Sequence, residues 1–487
     1  VTNTNSQSAV GEVRDERKIR GSMGAAEIAF FTVASAGPLL VIAGFAPLAF
    51  MIGGVGAVGV QLLAGLALML FSVGLTRMAT RIRNAGAFYA YIGQGLGRPM
   101  GGGAAFLALF TYSIIAIGQL GAIAAFAVTP VKDLTGVTLP WPLVALAALA
   151  IVAVLGYLQI SVSAKVLGVA LLAEVGVLLI FAIPVLIRGG AAGIDFDGFA
   201  PAAIFAVPGA GAMFAIAFGA FIGFESTAIY SEEARDPVRT LPRAIYLAVG
   251  FLTVFYAFMM WVVSVAYGSA NVQDAAAKDP VGLVFTAMEN YVGHPAVVVA
   301  EILLISSAFA SILAFHNTAT RYIFALGREG LLPRRLAKVH PTRSSPYVAS
   351  TAQAVLAAVL ILICAALGAD PYLQVYLLMA APGVLAVVVL QAMCSIAIVV
   401  YFRRHRDSAP GSTWSTIIAP ALSFVALSGG SWLIVTNFEY FTVRSGAINW
   451  VLLGLLPAVF AAGVARTLVM KRRDPLSYQQ LTQRELY

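Results

Sequence analysis

Phe218-Gly219-Ala220-Phe221-Ile222-Gly223-Phe224-Glu225-Ser226-Thr227 lies inside an apolar stretch that would otherwise read as a plain membrane helix. It sets two glycines and a carboxylate at membrane depth. A carboxylate there costs about 3 kcal/mol on insertion scales, so it is rarely kept without a function or a partner. Glycine weakens a helix and frees backbone groups, which a membrane tolerates only where the segment is buried in protein or lines a cavity. The stretch therefore reads as a discontinuous helix that holds a solute, and such a helix needs a bundle around it.

Composition supplies the bundle. Of 487 residues 60% are hydrophobic and 11% charged, with a mean hydropathy of +0.90. Soluble domains carry about 25% charged residues. This is a polytopic, all-α membrane protein. Residues 1–24 are polar and basic and read as a cytoplasmic tail; the first apolar stretch is far longer than the core of a cleaved signal, so none is expected. The net charge of +8 might suggest nucleic acid, but no soluble domain exists to display a basic face. Cys364 and Cys394 fall within apolar segments as small hydrophobes, so neither disulfide, metal nor cofactor is expected.

Twelve stretches are long enough to span a hydrocarbon core of about 30 Å. They are Ala25 to Ile52, Gly54 to Gly74, Gly103 to Val128, Trp141 to Leu158, Ala164 to Leu186, Ala210 to Tyr230, Ala244 to Tyr267, Ala296 to Ala319, Val348 to Leu367, Tyr372 to Tyr401, Ile417 to Val435 and Ala447 to Val464, here spans 1 to 12. With the N-terminus inside, only Lys132, Arg188, Lys278 and Arg444 of the 30 Lys and Arg fall outside. That asymmetry is what the positive-inside rule predicts, and a miscounted span would have scrambled it. Both termini are expected in the cytoplasm, and the cytoplasmic (inner) membrane is the expected location.

Span 1 carries Ser35-Ala36-Gly37-Pro38 near its middle, span 6 the glycines quoted above, and span 10 Ala381-Pro382-Gly383. Proline lacks a donor and clashes with the preceding turn. Single breaks of this kind also serve to kink or pack membrane helices. Breaks at matching positions five spans apart point instead to an inverted-repeat transporter with its site at the midplane.

Three further runs carry a resemblance. After span 2 stands Arg81-Ile82-Arg83-Asn84-Ala85-Gly86-Ala87-Phe88-Tyr89-Ala90-Tyr91. Span 6 continues into Glu232-Glu233-Ala234-Arg235-Asp236-Pro237 and Thr240-Leu241-Pro242-Arg243-Ala244-Ile245. After span 8 come Arg321 and Ala325-Leu326-Gly327-Arg328-Glu329-Gly330-Leu331-Leu332-Pro333. In this order and at these boundaries the chain, from about Ala25 to Val469, resembles the amino acid, polyamine and organocation permease superfamily. The resemblance implies a 5+5 inverted-repeat fold with discontinuous spans 1 and 6. Residues 25–186 would form repeat 1, 187–209 an extracellular loop, 210–401 repeat 2, 402–469 two peripheral helices and 470–487 a cytoplasmic tail. It also implies import or exchange of amino acids or related amines.

Unwound segments would offer amide donors to a substrate carboxylate and carbonyl acceptors to its ammonium, both helped by half-helix dipoles. Ser35, Ala36, Gly37 and Pro38 on span 1, and Phe221, Ile222, Gly223 and Phe224 on span 6, are placed around the substrate. Tyr112 and Gln119, seven residues apart on one face of span 3, either line the cavity or pack. The family's Gly-Ser-Gly run on span 1 is Ser35-Ala36-Gly37-Pro38 here, and the gating aromatic of some arginine exchangers is Gly219, so specificity does not carry over.

Glu225 matches a glutamate tied to proton-dependent gating in related exchangers; the alternative is a carboxyl that ties unwound backbone together. Glu174 stands where some proton-coupled members have a lysine in place of a sodium ion. It could carry a proton or draw a cation, or simply pair with a neighbouring helix. Ser307 and Ser311, with Ser306, face the place of a sodium site in sodium-coupled relatives, or bond within their own helix. Glu27 and Glu301 are close enough to span ends to reach the interface; the His316-Asn317 pair, at the cytoplasmic end of span 8, serves either as a gate contact or at the interface.

The expected function is secondary active amino acid transport by alternating access, coupled to protons (sodium being the other ion considered), with exchange without net proton movement as the alternative. The expected partners are an amino acid or amine substrate, the coupling ion and membrane lipid. A channel would show a repeated pore loop or ring-forming charges. An enzyme would cluster His, Asp, Ser or Cys at one membrane face, whereas His294, His316, His340 and His405 are scattered. No nucleotide-binding Gly-Lys-Ser motif is present.

Overall fold

The computed structural model describes residues 24–82, 88–158, 164–225, 227, 235–342, 345–405 and 412–481. The described residues form helices joined by turns and loops, without strands. Ten helical segments are long and apolar enough to cross a membrane, one of them the 55-residue run Ala25–Ala79; a further apolar helix, Ala210–Gly219, is shorter. The most apolar stretch of Ala25–Ala79 is 83% buried and that of Ala447–Arg473 only 17%, so span 1 with span 2 lies at the centre and span 12 at the rim.

Span 1 breaks where glycine meets proline. Ala25–Ala36 ends at Gly37, whose backbone is left-handed at φ 57°, ψ 75°, and Pro38 opens the next helical turn at Pro38–Leu40. Glycine takes that conformation without steric penalty, and proline suits a first helical position where no donor is needed. A π-turn, Val41–Phe45, then leads into Ala46–Gly53.

Span 6 breaks after one short helix. Ala210–Gly219 gives way to tight i to i+3 turns, with Ile222 N–H donating to the Gly219 carbonyl at 3.1 Å and Phe224 N–H to the Phe221 carbonyl at 3.2 Å. Gly223 has φ 113°, a conformation L side chains rarely adopt. Ser226 and residues 228–234 lie outside the described residues, as do 83–87 of the run after span 2.

Span 10 departs from its reading. The helix Leu377–Arg404 runs straight through Pro382, and the irregular turn lies earlier, as a π-helix over Pro371–Tyr376. Gly383 serves packing, since a Cβ there would stand 2.7 Å from Ile115 Cγ1 on span 3. Membrane helices absorb a proline when their neighbours pack closely enough to steady the freed carbonyl.

Span 3 packs against both span 8 and span 10, span 12 lies along span 3, and span 11 along span 10. Span 2 packs on span 7 and on the short helix of span 6, span 1 on spans 5 and 7, and span 4 on span 9. The two broken segments thus sit inside a ring of continuous helices. On the side of the basic loops, two of the runs quoted above meet: the buried Tyr89 hydroxyl donates to Glu329 Oε1 at 3.1 Å, and Arg466 of span 12 donates to the Leu331 and Gly330 carbonyls at 3.1 and 2.9 Å.

Candidate functional site

The breaks in spans 1 and 6 face one another across a small cavity of about 30 Å³. Ala36, Leu40, Val41 and Phe45 come from span 1, Gly219, Ala220 and Ile222 from span 6. Spans 3, 8 and 10 add Ile115, Gly118, Gln119, Ser311, Phe315, Tyr376, Ala380 and Val384. None of these residues is charged. The Gln119 carbonyl oxygen and the Tyr376 hydroxyl are buried there without a hydrogen-bond partner among the described residues. A buried polar atom left unpaired costs about 1–3 kcal/mol, so two of them on the wall of one cavity mark places for a ligand's polar groups.

Phe45 stands over Gly219: a Cβ on that glycine would lie 3.0 Å from Phe45 Cε1. The Phe45 ring meets Tyr376 edge-on at 5.3 Å, and Tyr372 OH donates to the Gly44 carbonyl at 2.7 Å. Span 10 therefore holds the second half of span 1.

Glu225 lies just beyond the cavity. Its Oε1 accepts from Tyr112 OH at 2.6 Å and its Oε2 from the Gly223 amide at 3.0 Å. The carboxyl group thus ties span 3 to the unwound turn of span 6. Tyr112 in turn stacks on Phe315 and Tyr322 at 6.3 and 5.4 Å. Across the break, the hydroxyls of Thr32 on span 1 and Thr227 on span 6 are 2.8 Å apart, and Thr227 also donates to the Phe224 carbonyl.

Glu174 occupies the other side of span 1. Its Oε2 accepts from the Leu39 amide at 3.2 Å, one residue after Pro38, where helical geometry leaves an amide without an internal acceptor. Ser307 is beside it and buried, its hydroxyl close enough to hold the carboxylate but outside good hydrogen-bond geometry to any described residue. A Cβ on Gly37 would be 2.9 Å from Ser307 Oγ. The break in span 1 is therefore wedged between the Glu174 carboxylate and span 8.

The named candidates separate accordingly. Ala36, Gln119, Ile222 and Ser311 line the cavity. Gly37 and Pro38 form the break, and the Ser35 side chain lies outside the described residues. Phe221 packs on Tyr256 at 5.8 Å and Phe224 on Phe71 at 6.2 Å, behind the cavity rather than in its wall. Tyr112 and Gly223 serve Glu225, while Ser307 accompanies Glu174. Glu27 accepts from the Gly24 amide at 2.7 Å, Ser306 donates to its own helix at the Leu303 carbonyl at 2.8 Å, and His316 Nε2 pairs with Ser350 Oγ at 3.0 Å. Among the described residues no group of three or more His, Cys, Asp or Glu could hold a metal ion.

A family model described as amino acid permease matches residues 24–465. The chain belongs to the amino acid permease family. This family member is 32% identical over 137 residues, 28% of each chain, to the branched-chain amino acid permease BcaP of Bacillus subtilis. It is 29% identical over 183 residues, 37% of each chain, to the methylthioribose transporter of Bacillus subtilis. With the cationic amino acid transporter 7, chloroplastic, of Arabidopsis thaliana it shares 28% identity over 261 residues, 53% of this chain and 40% of that one. The matched stretches thus span between 28% and 40% of these curated relatives.

Sequence reading missed Tyr376, Phe45 and Phe315. A tyrosine in an apolar helix reads as packing, and only its unpaired hydroxyl separates it from the others. Tyr376→Phe removes a hydroxyl that no described residue bonds. It is expected to leave thermal unfolding unchanged while weakening substrate affinity up to about tenfold, the worth of one hydrogen bond. Titrating uptake against substrate concentration checks this, and an unchanged half-saturation point would remove Tyr376 from the site.

Proposed function

We propose that this chain moves neutral amino acids across the cytoplasmic membrane by alternating access. The observation that carries the reading is the cavity between two broken helices, apolar in its walls yet holding unpaired oxygens at Gln119 and Tyr376. Once the two broken helices part enough to enlarge it, a zwitterion would be met there by backbone amides and carbonyls, and its side chain by Leu40, Val41, Ile115 and Val384. The absence of charge from the wall disfavours acidic or basic side chains. The name of the branched-chain relative agrees with an apolar side chain.

Alternating access is supported by the packing pattern. Relabelling each span by its partner five along turns the contact of spans 1 and 7 into that of 6 and 2. It turns 3 with 10 into 8 with 5, 3 with 4 into 8 with 9, and 1 with 5 into 6 with 10; all of these contacts are made. The pairs 2 with 7, 3 with 8 and 4 with 9, which map onto themselves, are made as well. That is the signature expected of two inverted repeats, residues 25–186 and 210–401, with two peripheral helices after them. Counting Ala25–Ala79 as two passes and span 6 as one would make twelve passes, and the basic loops favour both ends in the cytoplasm.

For the coupling ion we favour the proton, carried by Glu174. Its carboxylate accepts from the amide just after the Gly37 break, so gaining or losing a proton changes a contact that holds the moving segment. Uptake of a labelled amino acid panel into proteoliposomes, with and without an inward proton gradient, tests this beside Glu174→Gln and Glu225→Gln. Gradient-driven accumulation of neutral amino acids, lost in Glu174→Gln, is expected. Uptake that ignores the gradient and requires internal amino acid would mean exchange, and no uptake of any amino acid would refute the substrate class.

A further inference from the structure

A second cavity, of about 750 Å³, opens between spans 3, 4, 5 and 8. Its mouth carries Leu143, Ile151 and Ile302, which are 58%, 53% and 58% exposed and belong to helices long and apolar enough to cross a membrane. It therefore faces the hydrocarbon rather than either aqueous side. Alanines 147, 148, 170 and 310 keep its walls thin. All its lining is apolar except Glu174, Ser306 and Ser307, and Ser306 is bonded to its own helix. What remains is the Glu174 carboxylate, held by the Leu39 amide, and the buried Ser307 hydroxyl beside it, which lies against the Gly37 break.

We infer that this cavity is a binding site for hydrophobic amines that arrive through the membrane. An apolar body fits walls made of Ala, Val, Leu, Ile and Phe, and an ammonium fits a carboxylate with a hydroxyl beside it. A hydrocarbon chain alone would add no partner to the carboxyl group beyond the Leu39 amide and the Ser307 hydroxyl, and an anion would be repelled wherever the group is ionised. Entry needs no charge to cross the bilayer: a neutral amine can take the proton of the Glu174 carboxyl, leaving an ammonium and a carboxylate paired in place. Such a pair holds only where hydrogen bonds offset the loss of solvation, and the Leu39 amide and the Ser307 hydroxyl stand at the carboxylate to supply them. The occupant would sit behind span 1, separated from the central cavity by the break itself.

The test is equilibrium binding of radiolabelled 4-phenylbutylamine to the purified full chain in lipid nanodiscs. Ala147→Trp fills the lateral cavity, Val384→Trp fills the central one, and thermal unfolding confirms that each variant is folded. Saturable binding is expected, retained in Val384→Trp and at least tenfold weaker in both Ala147→Trp and Glu174→Gln, with the alcohol 4-phenylbutanol competing at least tenfold less well. Binding no greater than to empty nanodiscs overturns the site. Binding kept in Ala147→Trp but lost in Val384→Trp moves the amine to the central cavity and overturns it too. Equal binding by Glu174→Gln, or equal competition by the alcohol, overturns the role of the carboxylate. Because the readout is binding, it does not depend on what the protein transports.

Discussion

Gly37→Val is expected to lower uptake by about tenfold to a hundredfold while leaving the surrounding helices folded. Holding a residue other than glycine in a left-handed conformation costs about 1–3 kcal/mol, the most for a β-branched one. Here φ is 57°, and the new Cβ would also meet Ser307 Oγ at 2.9 Å and Leu40 Cβ at 3.3 Å. Valine cannot relieve both at once, so span 1 must straighten or shift, and either change moves Ala36 and Leu40, which line the central cavity. At about 1.4 kcal/mol per factor of ten, the strain translates into the stated range if it falls on the working conformation. Initial uptake rates in proteoliposomes, normalised to reconstituted protein, read the effect. Gly37→Ala, smaller and unbranched, should lie between the valine variant and wild type. Wild-type uptake by the valine variant would mean that the break is not part of the machinery.

Glu225 gives the second large effect, and here the choice of replacement decides the meaning. Glu225→Ala leaves the Tyr112 hydroxyl and the Gly223 amide without the acceptors they now have at 2.6 and 3.0 Å. Each orphaned buried donor costs about 1–3 kcal/mol. A clear fall in thermal stability and loss of uptake are expected. Glu225→Gln can keep both contacts: its carbonyl accepts from the Gly223 amide, and its NH2 donates to the tyrosine oxygen, which rotates to accept. Stability near wild type is therefore expected for glutamine. If Glu225 serves to hold the turn, uptake by the glutamine variant also stays within about threefold of wild type, a difference of under 1 kcal/mol. A stable glutamine variant that no longer responds to a proton gradient would transfer the coupling role from Glu174 to Glu225.

Both predictions touch features that differ in how far the sequence exposes them. The apolar spans and their charge asymmetry are legible because a bilayer imposes a length and the basic loops impose a direction. Gly37-Pro38 is legible as a break because the glycines of span 6 answer it at the matching position five spans on. Span 10 shows the limit of the same rule: Pro382 and Gly383 look alike in sequence, yet the helix continues through them, because Gly383 serves the close approach of Ile115. Glu174 and Glu225 stand out as carboxylates at membrane depth. Their partners do not, since Leu39 and Tyr112 are 135 and 113 residues away and only packing brings them near. The motif places Phe221 and Phe224 toward the substrate; an unwound turn has no helical period, so their direction is set by Tyr256 and Phe71.

The paired hydroxyls of Thr32 and Thr227 bear on leakage. If the two broken spans swung separately, one flap could stand ajar while the other was shut, and ions could slip past an empty carrier. Under the proposed cycle, a contact between positions 195 apart in the chain would make such half-open forms scarcer. A gradient held across the membrane would then be drawn down by completed cycles rather than by accidents between them.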